Sequence, residues 1–364
     1  MGWGAGNYRK EEGRGERAKL TTDRADYADR KAEGLEATTP PSKARTVHPA
    51  RPRIFPDPKQ KRWAWEFTEL WRADYNSGVG IFRNIHVTLE MIKWEHSFLT
   101  LPFGLTGAVI AAQGIPSLRI LLWLCVALVA ARSAAMAFNR LADAQIDATN
   151  PRTQTRALPA GLLTQQFVGW FIVVSSLLLM LAAWQLNRLA LYLSPVALAI
   201  VFAYSYTKRF TRWAHLFLGL AMGIAPAAAW VAVRGDIDPR IFLLTGAVMF
   251  WGGGFDVLYS CQDYDHDCRE NLHSVPRWFG VPRALMIART FHVIAFALFV
   301  ATVLAFGLGK IALAGVILTG ALLVYEHSLV KSDDLSKLNA AFFTTNGLIS
   351  VMLLGFVVVD RVVR

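Results

Sequence analysis

The stretch LRILLWLCVALVAARSAAMAFNRLADAQID, residues 118–147, joins an apolar run directly to three regularly spaced oxygen-bearing side chains. A spanning helix needs about 20 mostly apolar residues to cross roughly 30 Å of hydrocarbon, and residues 117–138 supply them. Where the run ends, Asn139, Asp143 and Asp147 follow at i, i+4 and i+8. On one continuous helix that spacing stacks the three along one face. Two carboxylates four residues apart repel each other, so the arrangement is unfavourable unless a cation sits between them. Magnesium suits such a place, because it takes one or two carboxylates and completes its shell with phosphate oxygens and water.

The same length test, carried outward, gives nine candidate spans: about 97–113, 117–138, 166–185, 189–207, 214–233, 240–260, 284–306, 310–330 and 340–360. The first is short and carries Pro102, and the sixth is interrupted by Gly252, Gly253, Gly254 and Asp256. Those glycines read as places of close helix packing or a kink. The composition agrees, with 54% hydrophobic residues, 18% charged and a mean hydropathy of +0.34, outside the habit of water-soluble domains. The expected fold is an all-α integral membrane bundle of nine helices.

Charge gives the orientation. The gaps after the second, fourth, sixth and eighth spans carry Arg140, Arg152, Arg156, Lys208, Arg209, Arg212, Arg269, Arg277, Arg283, Lys331 and Lys337, against five basic residues in the opposite gaps. The even gaps and the N-terminal tail are therefore expected in the cytoplasm. The formal net charge of +11 lies largely in that tail and those loops, so it reads as membrane-surface charge, not as a nucleic-acid footprint. Residues 1–62 are polar and fit disorder. Residues 63–95 place Trp63, Trp65, Phe67, Leu70 and Trp71, then Phe82, Ile85, Val87, Leu89 and Ile92, among charges, the pattern of a helix lying in the interface. The membrane domain is expected over 96–364. No apolar leader follows Met1, so the first span is expected to serve as the insertion signal. Cys125, Cys261 and Cys268 form no CxxC pair, which supports neither a disulfide framework nor a zinc site.

A second acidic set closes the sixth span. Asp256, Tyr259, Asp263 and Asp267 fall at offsets 0, 3, 7 and 11, again one helical face. Asp256 lies about two turns inside the apolar run, where a carboxylate costs on the order of 2.5–3.5 kcal/mol, so it is expected to face a polar cavity. Both acidic sets follow even-numbered spans, and parity brings them to one side of the membrane. Basic residues accompany them: Lys93 before the first span, Arg132 inside the second, Arg152 and Arg156 after the first set, and Lys208, Arg209 and Arg212 after the fourth span. Such cations suit a departing diphosphate. His215, His292 and His327 show no metal-ligand spacing and read as packing residues, whereas His96 and His273 fall near the expected site.

These residues resemble the UbiA-type intramembrane prenyltransferase superfamily. Asn139 to Asp147 is similar to its NxxxDxxxD motif, Arg156-Ala-Leu-Pro159-Ala-Gly161 to its RxLPxG stretch, Tyr204-Ser-Tyr-Thr-Lys208-Arg209 to its YxxxKR loop, and Asp256 to Asp267 to its second acidic motif. The resemblance covers about residues 88–360 and is strongest to 4-hydroxybenzoate polyprenyltransferase-like proteins, including those of the futalosine route to menaquinone. One departure is Asn271, where relatives often carry glycine. The resemblance implies a nine-helix bundle with a central cavity and a cytoplasmic cap, in a prokaryotic inner membrane. It implies Mg2+ bound by Asp143, Asp147, Asp263 and Asp267, with a polyprenyl diphosphate held by Asn139, Arg156, Lys208 and Arg209. Arg132 and Lys93 are further candidates for substrate binding, toward the diphosphate or an aromatic hydroxy-acid acceptor. Asp256 and Tyr259 are expected deeper, as candidates for binding the ring or removing its proton.

Two rivals weigh against this. A CDP-alcohol phosphotransferase needs DGxxAR followed by GxxxDxxxD in one tract, which neither acidic set provides. An ion-coupled transporter would use a midplane Asp256 but has no need of magnesium-spaced aspartates at helix ends.

Overall fold

The computed structural model describes residues 80–94, 97–330, 335, 338 and 344–364, and among them the regular structure is entirely helical. The tail 1–62, the first part of the interfacial segment, Glu95, His96, Lys331, Lys337 and the expected start of the ninth span at 340 lie outside the described residues.

The helices follow the apolar runs. They are α1 Gly80–Met91, α2 Ser97–Ala112, α3 Leu118–Ala142, α4 Ala144–Thr149, α5 Gln165–Leu186, α6 Arg188–Thr207 and α7 Ala214–Arg234. Then come α8 Ile241–Ser260, α9 Tyr264–Arg269, α10 Val275–Phe279, α11 Val281–Ala305, α12 Lys310–Leu329 and α13 Asn346–Val363. Among the described residues, eight helical stretches are long and apolar enough to cross a membrane, the fifth running from Ile241 through to Arg269. The ninth, α2, has 16 residues with Pro102 inside it, and about 1.5 Å per residue leaves it short of a full crossing.

Local chemistry sets the ends. Thr164 caps α5 by accepting from the Phe167 N–H, and Asn187 caps α6 by accepting from Ala190, which satisfies backbone donors that a helix start leaves unpaired. The Asn187 amide also donates to Val231 O at 2.7 Å, fastening the turn between α5 and α6 to α7. Gly235 ends α7 with φ 72°, a conformation that favours glycine. Pro282 sits in the first turn of α11, where its missing N–H costs nothing, and the helix begins three residues before the expected 284.

Neighbours in sequence pack together: α3 on α5, α5 on α6, α6 on α7, α7 on α8, α8 on α11, α11 on α12, α12 on α13, and α13 back on α2. The α2 helix also lies along α7. Its Phe103 is fully buried against Trp251 of α8 and Phe299 of α11, with ring centroids 4.7 and 6.0 Å apart. Outward, Trp170, Trp184, Tyr192 and Leu304 are exposed, as lipid-facing surfaces of an integral membrane protein are.

The seam between α7 and α8 matters most for the site. A methyl group on Gly219 would collide with Met249 O, and one on Gly223 with Thr245 O. On the facing helix, a methyl on Gly252 would press on Gly219 Cα and one on Gly253 on Leu216 and His215 O. These small residues let two backbones meet, so close packing is the role of Gly252 and Gly253. Gly254 faces the other way, where a side chain would strike the His292 ring.

Candidate active site

Both acidic sets open onto one cavity of about 800 Å³, whose walls come largely from α3, α6, α7 and α8. Its lower walls are Leu, Val, Ala and Ile side chains, and its polar lining gathers where the spans give way to loops. Asn139, Asp143, Asp147, Asp256, Tyr259, Asp263 and Asp267 all line it, as do Arg132, Arg156 and Lys208. Lys93 and Arg209 stand outside the lining.

The first set differs from the single expected helix. The α3 helix ends at Ala142, its capping residue Asp143 breaks the regular pitch with φ −97° and ψ 4°, and Asp147 rides on the short α4. The chain still bonds Asp147 N–H to Asp143 O at 2.8 Å, so Asp147 stays close to the face occupied by Asp143. The second set behaves likewise: α8 tightens into a 3-10 turn over Cys261–Asp263 before α9 carries Asp267. In both places the break falls where carboxylates would otherwise stack on one another, and repulsion between like charges disfavours that stack.

Each aspartate has a distinct set of partners. Asp143 Oδ2 accepts from Asn139 Nδ2 at 3.0 Å and from Lys208 Nζ at 2.7 Å. Its Oδ1 is buried, accepts no hydrogen bond and has Arg209 at 3.7 Å. Asp147 takes both oxygens to Arg156 Nη1 at 2.7 and 2.8 Å. Asp263 is gripped through both oxygens by Arg152, Nε at 2.8 Å and Nη2 at 2.5 Å, and it also accepts from Asn150 at 3.2 Å. Burial alone would lower the Arg152 pKa, but the Asp263 carboxylate more than offsets this and holds the guanidinium above its usual value. Arg152 lies over the Tyr259 ring, 5.3 Å from the centroid, and its Nη1 reaches the Tyr259 hydroxyl at 3.3 Å. The loop after the first set thus bonds directly to the second, and the two helix ends share one mouth.

Deeper in the cavity, Asp256 meets a partner that the sequence did not announce. His215 Nδ1 lies 2.6 Å from Asp256 Oδ2, so His215 is more than the packing residue expected. His292 and His327 are paired with one another at 2.9 Å between α11 and α12. Over the mouth, residues 271–275 fold back: His273 N–H donates to Lys208 O at 2.9 Å, and Ser274 bonds to Asp267. His273 lines the cavity. Asn271 adopts φ 57°, a left-handed conformation that asparagine tolerates and that glycine would also suit.

Among the described residues no group of three or more His, Cys, Asp or Glu side chains is placed to hold a metal by itself. The donor set does fit magnesium shared with a ligand, which needs only one or two carboxylates per ion, and Asp143 Oδ1, buried without a hydrogen bond, is an acceptor such an ion could use.

Comparison with known proteins shows the family. Residues 100–348 match the model of the UbiA prenyltransferase family. The chain belongs to that family. It is 32% identical over 253 residues to a protein named 4-hydroxybenzoate octaprenyltransferase from Vibrio parahaemolyticus, covering 69% of this chain and 88% of the relative. A protein of the same name from Aromatoleum aromaticum is 28% identical, covering 68% and 84%. Among solved structures, a UbiA homologue from Aeropyrum pernix superposes with a TM-score of 0.66 at 32% identity, covering 73% of this chain and 98% of that one. A UbiA homologue from Archaeoglobus fulgidus bound to GPP and Mg2+ shares the fold, with a TM-score of 0.58 at 19% identity, covering 76% and 99%. The family member described here is accordingly a membrane-embedded prenyltransferase.

Proposed function

We propose that this UbiA-family chain transfers a polyprenyl group from its diphosphate to an aromatic hydroxy acid, 4-hydroxybenzoate or a dihydroxynaphthoate, in quinone synthesis. The observation that carries the reading is the shared mouth: Asn150 and Arg152 from one acidic loop hold Asp263 of the other above a single apolar cavity. The relatives named 4-hydroxybenzoate octaprenyltransferase support the acceptor class. The homologue bound to GPP and Mg2+ supports the donor and the metal.

Mg2+ held by Asp143, Asp147, Asp263 and Asp267 would supply charge neutralisation for the departing diphosphate. Lys208, Arg156 and Arg152 are paired with those carboxylates and add positive charge beside the leaving group, with Arg209 behind Asp143. Asn139 steadies Asp143 through its amide. The apolar walls hold the prenyl chain and keep water from the allylic cation left when the carbon–oxygen bond breaks with its electron pair on the diphosphate. A ring carbon beside the hydroxyl then bonds to the prenyl carbon. The proton it releases passes to Asp256, while Tyr259, fixed by Arg152, bounds the ring and Arg132 meets the acceptor's carboxylate. Lys93 stands outside the cavity lining and has no assigned part in this reading. The basic bias of the even loops supports a mouth on the cytoplasmic side of a prokaryotic inner membrane.

The test incubates the purified full chain in detergent with magnesium, a polyprenyl diphosphate and a panel of hydroxybenzoates and dihydroxynaphthoates. Products are identified by mass. A prenylated ring is expected, lost on chelation and restored by magnesium, and undiminished turnover after chelation would refute the metal assignment.

A further inference from the structure

His215 is almost fully buried, at 5% exposure, on the first turn of α7. Both of its ring nitrogens are engaged. The Val275 backbone N–H donates to Nε2 at 3.3 Å. A backbone N–H cannot accept, so Nε2 carries the lone pair and the ring proton of the neutral imidazole sits on Nδ1. That Nδ1–H points at Asp256 Oδ2, 2.6 Å away. The carboxylate therefore has one oxygen tied from behind, and its side chain remains partly open to the cavity it lines.

The placement follows from the glycine seam. With Gly219 against Gly252 and Gly253, and Gly223 against Thr245 and Met249, α7 and α8 approach closely enough for a histidine one turn before Gly219 to reach an aspartate one turn after Gly252. The other end of the ring reads the loop over the mouth, because Val275 starts α10 next to Ser274, which bonds Asp267.

We propose that His215 is a positioning residue: it fixes the Asp256 carboxylate toward the cavity and ties it to segment 272–275, so that the proton acceptor is aligned when that segment is seated. This rests on the aromatic-transfer reading above, in which Asp256 takes the ring proton. A donor fixed by a second hydrogen bond behind an active group limits its rotation, and such supporting contacts matter because misplacement costs rate more than affinity.

The experiment uses the full chain in detergent with two variants, His215→Leu and His215→Asn. Asparagine keeps an N–H close to the position of Nδ1, and leucine does not. For His215→Leu, kcat is expected to fall by about tenfold to a hundredfold, with KM for both substrates within about threefold and unaltered geranyl diphosphate binding in magnesium. His215→Asn is expected to recover most of the loss. Wild-type turnover in His215→Leu would overturn the proposal, as would equal losses in both variants accompanied by lost diphosphate binding, the mark of a merely structural role. A second arm needs no turnover: 15N spectra of histidine-labelled protein, with the His215 signals assigned by their absence in His215→Asn. A protonated Nδ1 whose signal moves in Asp256→Asn supports the pairing, and a protonated Nε2 or no response sinks it. If wild-type protein prenylates no ring, the functional reading fails while this arm still decides the pairing.

Discussion

Asp143 shows how the site divides its labour at the level of single atoms. One oxygen is satisfied by Asn139 and Lys208, and the other is buried without a hydrogen-bond donor. Asp143→Asn preserves volume but removes the charge that pairs with Lys208 and that the proposed magnesium ion would need, so turnover at saturating magnesium is expected to fall on the order of a hundredfold or more, measured as prenylated product per unit time. Arg152 makes a different case, because its grip on Asp263 uses two nitrogens on two oxygens. Lysine offers one point charge where the fork is required. Arg152→Lys is therefore expected to lose about tenfold or more in kcat/KM for the prenyl diphosphate, and equal kinetics would show that charge alone suffices. The aspartates themselves were legible because four-residue spacing is a property of the sequence. The Arg152–Asp263 pair, separated by 111 positions, left no such mark, and His215 read as packing because nothing in its own neighbourhood points to Asp256.

Elements were easier to read than contacts. Where the described residues allow the comparison, hydropathy located the span ends to within a few residues, since a bilayer-crossing length of apolar chain has few alternatives. It missed the breaks at Asp143 and over Cys261–Asp263, because repulsion among carboxylates acts on a helix that propensity alone would continue. The glycine seam was legible in kind but not in partner: Gly252 and Gly253 suggested close packing, and only the fold shows Gly219 opposite them. That seam makes a clean prediction. Gly219→Ala forces a methyl into Met249 O, where no flexible side chain can yield, so it is expected to destabilise the protein by about 1–3 kcal/mol. Gly169→Ala on α5 meets nothing within 4 Å and serves as the control, expected neutral or slightly stabilising. Thermal unfolding in detergent compares the two, and because His215 rides on the same helix, Gly219→Ala should lose activity beyond what its fraction folded explains.

For the whole molecule, the decisive relation is between the charged mouth and the apolar space behind it. On the proposed reading the diphosphate binds at one end, near Asp143 and Asp263, while Leu193, Ala197 and Ala225 line the cavity farther along α6 and α7. Ala225 lies ten residues past His215, about 15 Å along the helix axis, beyond the reach of a headgroup but on the path of a long prenyl tail. If the cavity itself holds that tail, filling it there must discriminate between donors by length. Ala225→Phe adds a ring to the wall, so turnover with a long polyprenyl diphosphate is expected to fall about tenfold or more while geranyl diphosphate is used within about threefold of the wild-type rate. Competition between the two donors in one reaction, read by product mass, removes differences in enzyme amount from the ratio. An unchanged ratio would mean that the tail leaves the protein before reaching Ala225, passing into lipid, and that the apolar space beyond the mouth does not measure the chain.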